Sequence, residues 1–343
     1  MDSSIHIEKK YLSRLVSGEG LTPAVQLVAG EKELFLLYDK NVQEAAERLM
    51  AANAGAFKGS MAIEASEAGK SMKSVLAISR WLLKADASRG AFLLTLGGGI
   101  TSDLGGFVAA TYKRGIRYGN IPTTLLAQVD AAIGGKTGVN LDGYTNMIGA
   151  FHLPQFTYLC SEVLETLPPA IFREGLAELL KTFLLADGPA YEAAVRRKDQ
   201  EWLPLIQRAA QIKADIVQRD PFEGGERAKL NLGHSFAHAI EHEAARRSEA
   251  ISHGEAVAIG TLMAAELAEK LGVAEIGLAA RLKADYKSLG LPTECPYPVQ
   301  NLLDAMGKDK KAARGQIKFV LPVRPGEVIL KDISIHDLHL YTK

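Results

Sequence analysis

Short β-branched and leucine-rich runs alternate with helical periods through the first half of the chain. Glu33 to Tyr38 (ELFLLY) is almost continuously apolar, which predicts a buried strand, and Val42 to Ala52 carries apolar positions at helical spacing. Ser60 to Ile63 predicts a second strand and Ser71 to Lys84 an amphipathic helix. Ala91 to Leu96 (AFLLTL) is another buried run. It ends in Gly97-Gly98-Gly99 and is followed by a helix from about Asp103 and a strand near Arg117 to Ile121. Strands and helices alternating in this way build a parallel sheet covered by helices.

From about Glu162 the rhythm changes to helix after helix, over Pro168 to Ala186, Glu201 to Arg219, Ala228 to Ala245, His253 to Leu271 and Val273 to Leu289. Gln316 to Leu321 and Glu327 to Leu330 alternate about Pro325-Gly326 as a small hairpin, and the closing DISIHDLHL predicts a short final helix. The expected fold class is an α/β N-terminal domain with a Rossmann-like parallel sheet over residues 1–161 and a mostly α-helical C-terminal domain over 162–343, with the active site in the cleft between them. No internal repeat or low-complexity tract interrupts this order.

Composition narrows the partners. The 343 residues carry 40 Lys+Arg against 40 Asp+Glu, so bulk binding to nucleic acid or another polyanion is not expected. Cys160 and Cys295 are too far apart for a paired-cysteine metal site or a disulfide framework, which fits a reducing cytoplasm. The longest apolar stretch, Ala256 to Ala264, falls well short of the ~20 residues of a membrane span. The start MDSSIHIEKK lacks the basic-then-apolar order of a secretory signal, so the expected location is cytoplasmic, without membrane contact.

Histidine changes the picture most. His234, His238, His242 and His253, four of the eight in the chain, fall between Leu230 and Glu255. The first three recur at i, i+4 and i+8, and Glu241 follows His234 by seven residues, so on a helix all four share one drifting stripe. Imidazole and carboxylate are the ligands of open, catalytic zinc sites, whereas an isolated histidine is more often an ordinary hydrogen-bonding residue. Ser235, Phe236 and Ala237 follow His234, so the His-Glu-x-x-His order of zinc peptidases is absent.

The Gly97–Gly99 turn suits a backbone that approaches a pyrophosphate at a helix N-terminus, although for the three glycines by themselves a tight packing turn is the commoner explanation. Downstream come Pro122-Thr123-Thr124, Asp130 and Gly134-Gly135-Lys136-Thr137-Gly138. The last segment lacks the upstream glycine of a P-loop, which argues against a nucleotide triphosphatase.

Seven segments in order, GGGITSDLGGFVAATYKRGI, IPTTLLAQVDAAIGGKTGVN, NMIGAFHLP, GLAELLK, LNLGHSFAHAIE, HGEAVAIG and DKK, resemble the 3-dehydroquinate synthase family of sugar-phosphate cyclases. The resemblance spans Asp39 to Lys311. It implies a metal, Zn²⁺ or Co²⁺, on Glu178, His234 and His253. It implies active-site roles for Lys181 and His238, and substrate contacts from Asp130, Lys136, Asn146, Lys213, Arg227, Asn231 and Lys310 or Lys311. Arg114 matches an arginine that the family extends into a neighbouring subunit's site, which implies a homodimer. NAD contacts fall on Asp39, Glu67, Lys70, Gly98, Gly99, Ile100, Asp103, Thr123, Thr124, Leu126, Lys136 and Thr166.

The implied substrate, 3-deoxy-D-arabino-heptulosonate 7-phosphate, carries a carboxylate and a phosphate, and these basic residues suit both. The implied product is 3-dehydroquinate with release of phosphate. One departure is chemical rather than conservative: Thr145 stands where the family commonly has lysine. Rival readings are a sister cyclase such as 2-deoxy-scyllo-inosose synthase, an iron-type alcohol dehydrogenase, and a non-catalytic metal- or nucleotide-binding protein on the same fold.

Overall fold

The computed structural model describes residues 13–197, 201–308 and 316–341. The chain divides into two compact units. The first runs to Thr123 and resumes over Ala131–Val163; the second takes Thr124–Asp130 and everything from Leu164 onward.

The first unit contains β1 (Arg14–Ser17), α1 (Thr22–Gln26), β2 (Leu34–Asp39), α2 (Gln43–Ala52), β3 (Phe57–Ile63), α3 (Met72–Lys84), β4 (Phe92–Gly97), α4 (Gly99–Thr111) and β5 (Arg117–Pro122). An antiparallel ribbon of β6 (Lys136–Leu141) and β7 (Tyr144–Phe151) follows, then β8 (Phe156–Leu159). Six strands form one parallel sheet in the order β1-β8-β5-β4-β2-β3. Alternate residues of β2 and β4 feed opposite cores. Phe35, Leu37 and Leu93 pack with Ile78, Leu82 and Leu104 of α3 and α4, while Leu34, Leu36 and Leu94 pack with Val25, Ala46 and Leu49 of α1 and α2. A sheet covered on both faces needs no polar alternation, which is why these strands read as unbroken apolar runs.

From β2 the chain steps outward to β3, then returns so that β4 pairs on the other side of β2 and the order proceeds to β5. The carboxyl ends of β2 and β4 therefore flank a topological switch point, where open α/β sheets bind ligands. Asp39 ends β2 and Gly97 ends β4. Helix α4 starts at Gly99, a turn earlier than the expected Asp103. Gly98 is extended at its N-cap, and a Cβ on Gly99 would come within 3.0 Å of the Ala131 side chain, so bare backbone is what fits this turn. The stretch around Lys136, where the sequence pattern predicts no strand, is the first strand of the β6–β7 ribbon; its Thr137 and Val139 are buried, and Val139 packs in the α3–α4 core.

The second unit holds α5 (Pro169–Ala186), α6 (Gly188–Val195), α7 (Leu203–Arg219), α8 (His234–Arg247), α9 (His253–Lys270), α10 (Leu278–Ser288), α11 (Val299–Lys308), the hairpin β9 (Gln316–Arg324) and β10 (Glu327–Ser334), and α12 (Ile335–Tyr341). The helix expected from Ala228 is a 3₁₀ turn over Glu226–Asn231, and α8 begins only at His234. Gly233 breaks the run with φ of 78°, and a Cβ there would sit 2.5 Å from Thr261 Oγ1 on α9. Helix α9 begins at the expected His253, because Ser252 and Glu255 form a reciprocal capping box. Helix α10 starts at Leu278 rather than Val273, after Gly277 at φ 86°. Among the described residues no helix is long and apolar enough to cross a membrane.

Candidate active site

Helix α5 brings Glu178 and Lys181 to one face of the second unit, both fully buried. Neither Glu178 carboxylate oxygen receives a hydrogen bond of normal geometry, yet three nitrogens surround them. Lys181 Nζ lies 2.5 Å from Oε2, His253 Nε2 3.4 Å from Oε1 and His234 Nε2 3.8 Å from Oε1. One ligand atom from each of Glu178, His234 and His253 falls within 4.8 Å of the others. His234 Nδ1 lies 3.2 Å from the Leu232 carbonyl, a pure acceptor, so that nitrogen donates and Nε2 presents its lone pair. A buried carboxylate short of hydrogen bonds beside two imidazoles is a donor set that fits a divalent cation.

The charges are strongly coupled. Burial would raise the Glu178 carboxyl, but the Lys181 ammonium and the two histidines hold it well below the usual range. Burial likewise works against Lys181, whose charge is kept by Glu178 and Asp130. His234 is pulled down to about 3 by burial and by Lys181. Burial works against a charged His253, but the carboxylates of Glu178 and Glu241 beside it outweigh burial and push it up to about 10.

A cationic cluster lies around this triad. Asp130, in a π-helical turn over Ala127–Ala131, accepts from Lys213 Nζ at 2.7 Å. Its carboxyl is lowered, because Lys213 and Lys181 outweigh burial. Burial lowers the Lys213 ammonium, and Lys181 and Arg227 add to that. Arg227 is 2 % exposed and donates from Nη1 to the Pro221 carbonyl at 2.7 Å. Its loop is shaped by Asp220, whose carboxylate accepts from the backbone N–H of Gly224, Gly225 and Arg227. Lys181, Lys213 and Arg227 thus lie beside Glu178 and Asp130, with Glu223 and Asp220 also acting on Arg227, and they are three fixed cationic donors of the kind that bind an anion.

Glu223, which the sequence did not single out, has φ of 63° and accepts from Asn231 Nδ2 at 3.4 Å. Its only advance signal was its place three residues before Glu226-Arg227. Asn231, His238 and His242 are exposed; the His238 ring stacks edge-on to His234 at 5.6 Å between centroids.

In the first unit, the residues expected to hold a nucleotide gather at the carboxyl ends of the strands. Asp39 accepts from Asn41 N at 3.0 Å, and Gly98, Gly99, Ile100 and Asp103 form the start of α4. Lys70 Nζ bridges Asp103 Oδ2 and Asn146 Oδ1, each at 2.6 Å. Glu67 accepts from Asn140 Nδ2 at 2.8 Å, and Asn140 Oδ1 accepts from Asn146 N. Thr123 N donates to the Gly97 carbonyl, and a cavity of about 400 Å³ past β3 is lined by Lys40, Glu64, Ser66 and Gly69. Lys136 and Thr145 are exposed on the ribbon, and Arg114 is exposed in a loop after α4. Thr124, Leu126 and Thr166 belong to the second unit. Lys310 and Lys311 lie outside the described residues.

Residues 60–174 match the family described as 3-dehydroquinate synthase N-terminal, and residues 175–312 match 3-dehydroquinate synthase C-terminal. The chain belongs to the 3-dehydroquinate synthase family. It is 39 % identical over 297 residues to the 3-dehydroquinate synthase of Cereibacter sphaeroides, covering 82 % of this chain and 79 % of the relative. It is 43 % identical over 265 residues to that of Thermococcus kodakarensis, covering 77 % and 75 %. Among solved structures it resembles the 2-epi-5-epi-valiolone synthase of Streptomyces hygroscopicus subsp. jinggangensis 5008, which has NAD⁺ and Zn²⁺ bound. That match has a TM-score of 0.86 at 26 % identity and covers 98 % of both chains. A 2-deoxy-scyllo-inosose synthase complexed with carbaglucose-6-phosphate, NAD⁺ and Co²⁺ shares the fold, with TM-score 0.82 at 20 % identity over 96 % of this chain and 95 % of that one.

Proposed function

We propose that this family member is a 3-dehydroquinate synthase, a phosphate-eliminating lyase that converts 3-deoxy-D-arabino-heptulosonate 7-phosphate into 3-dehydroquinate and phosphate. The observation that carries the reading is the buried Glu178–His234–His253 cluster set beside Lys181, Lys213 and Arg227. Such a centre suits a substrate that offers hydroxyls and two anionic groups at once.

Glu178, His234 and His253 are the residues that would hold Zn²⁺ or Co²⁺, and Asp39, Glu67, Lys70, Gly98, Gly99, Ile100, Asp103, Thr123, Thr124, Leu126, Lys136 and Thr166 those that would hold NAD⁺. When bound, NAD⁺ supplies a reversible hydride acceptor and the cation supplies Lewis acidity toward a substrate hydroxyl. The net conversion is redox-neutral: oxidation at a ring hydroxyl acidifies the C–H of the adjacent carbon, that proton is removed as phosphate leaves from the next, exocyclic carbon, and reduction, ring opening and an intramolecular aldol closure follow. The side chains have to hold one flexible substrate through all of these, a contribution that can reach ~7–11 kcal/mol for well-oriented partners.

Lys181, kept charged inside the protein, is placed to donate a proton or a hydrogen bond to a substrate oxygen next to Glu178. His238 is the candidate to relay protons beside His234. Arg227, Lys213 and Asn231, with Asp130, Lys136, Asn146 and Lys310, are assigned to the carboxylate, hydroxyls and phosphate. A homodimer completed by Arg114 and a cytoplasmic location belong to the same reading.

The rival cyclases act on the same fold, so substrate choice is the test. Phosphate release should be rapid from the heptulosonate phosphate and negligible from glucose 6-phosphate, and Arg227→Leu should raise KM for the former. Turnover of glucose 6-phosphate to a carboxylate-free carbocycle would replace this reading with that of a sister cyclase.

A further inference from the structure

His253 and His234 are backed differently. His234 Nδ1 uses a neutral backbone carbonyl, that of Leu232, at 3.2 Å. His253 Nδ1 instead lies 2.9 Å from Glu241 Oε1, a carboxylate on the neighbouring helix α8. Glu241 follows His234 by seven residues, two turns along the same helix, so one element carries a ligand candidate and also reaches the other. The chain leaves α8 at Ser248 and re-enters a helix at His253, and the Glu241 contact spans that break.

We propose that Glu241 is a positioning residue for the metal centre: it accepts the Nδ1 proton of His253, fixes the tautomer in which Nε2 faces Glu178, and makes that imidazole the stronger donor of the two. This deepens the reading above and rests on the Glu178–His234–His253 set binding a cation. A carboxylate acceptor behind an imidazole orients the ring and raises its basicity, and losing such a partner typically costs ~10–100-fold in metal affinity. A surface ion pair of the same length is worth little and leaves metal affinity alone. Glu241 is about one-third exposed on its side chain, so a substitution there leaves no buried hole.

The test is a Zn²⁺ titration of the metal-stripped full chain against a chromophoric chelator, together with visible spectra of the Co²⁺-loaded protein. Glu241→Ala should lower Zn²⁺ affinity about 10–100-fold and shift the Co²⁺ bands. Glu241→Gln, whose amide oxygen still accepts from Nδ1, should lose less. Should the alanine variant fail to fold, the glutamine variant carries the test with a several-fold loss. Glu255→Ala disturbs the same helix start through its capping box but leaves the ring's partner in place. It should lower the melting temperature while keeping Zn²⁺ affinity near that of the parent.

Parental affinity and unshifted Co²⁺ bands in Glu241→Ala would overturn the inference and leave the metal reading intact. A loss in Glu255→Ala as large as in Glu241→Ala would overturn it too, by tracing the effect to the helix start. Failure of the parent chain to bind Zn²⁺ at all would instead remove the metal reading on which the inference stands.

Discussion

Lys181 Nζ lies 2.5 Å from Glu178 Oε2, one turn along α5, with both side chains buried. In a buried pair, removing one partner leaves an uncompensated charge and costs about 3–5 kcal/mol. Lys181→Met should therefore lower the urea unfolding free energy of the metal-free protein by about that amount. Zn²⁺ should restore much of the loss, because a cation beside Glu178 replaces the missing ammonium. Turnover should fall by ~10²–10⁴-fold if Lys181 handles a proton. An unfolding free energy equal to the parent's would show that the pair contributes nothing.

Zinc content separates the candidate ligands. Glu178→Gln and His253→Ala should lose tight Zn²⁺ binding, since a three-ligand site has none to spare. His242→Ala should keep full stoichiometry, because His242 is exposed and outside the cluster. The same site predicts a pH dependence. With its pKa at about 10, His253 carries a proton near neutrality that a cation must displace, whereas His234, at about 3, is already neutral. Apparent affinity should rise roughly tenfold per pH unit from about pH 6 to about pH 9, with about one proton released per ion. Calorimetry in buffers of different ionisation enthalpy reads that proton directly, and a flat affinity across this range would contradict the assignment.

Away from the site, Glu243 is buried and clasped by Arg246 at 2.8 Å, Arg247 at 2.9 Å and Asn301 at 2.7 Å. The Arg246 hydrogen bonds, with Asn301 and Arg247 and against burial, hold its carboxyl far below the ordinary range. A depressed folded pKa gives stability that is present above the unfolded value of ~4.3 and lost as pH falls through the folded one. Glu243→Gln should melt below the parent near neutrality, and the gap should close as pH drops below about 4. A gap independent of pH would mean that packing, not charge, explains the clasp.

Where the sequence was legible, the reason is physical. The runs at β2 and β4 are apolar throughout because helices cover both faces, and α9 starts where its Ser252–Glu255 box says. The β6–β7 ribbon was missed because Gly138 and Gly149 face each other on it and erase the alternation that marks a strand. The start of α8 was misplaced because apolar periodicity runs through Gly233, whose left-handed φ ends one turn and begins another. Glu178, His234 and His253 were named from resemblance, but the pairing of His253 with Glu241 depends on how the chain turns back between α8 and α9. Spacing alone cannot give that.

Arg114 carries the proposal of a dimer. It is exposed, with φ of 67°, between Lys113 at 49° and Gly115 at 116°. Three successive residues in the left-handed region are costly for the two that are not glycine, and such strain concentrates at functional positions. Mixing inactive Lys181→Ala with inactive Arg114→Ala should restore part of the activity through hybrid dimers, each with one intact site. No rescue despite demonstrated subunit exchange would place Arg114 outside a shared site.

The most direct measurement follows phosphate and NADH together as the purified chain turns over 3-deoxy-D-arabino-heptulosonate 7-phosphate with NAD⁺ and Zn²⁺. A cyclase of this family should release one phosphate per 3-dehydroquinate formed with no lasting NADH absorbance, and should stop when NAD⁺ is omitted or a chelator is added. Steady accumulation of NADH in step with substrate loss, without phosphate, would contradict the account and make the chain a dehydrogenase.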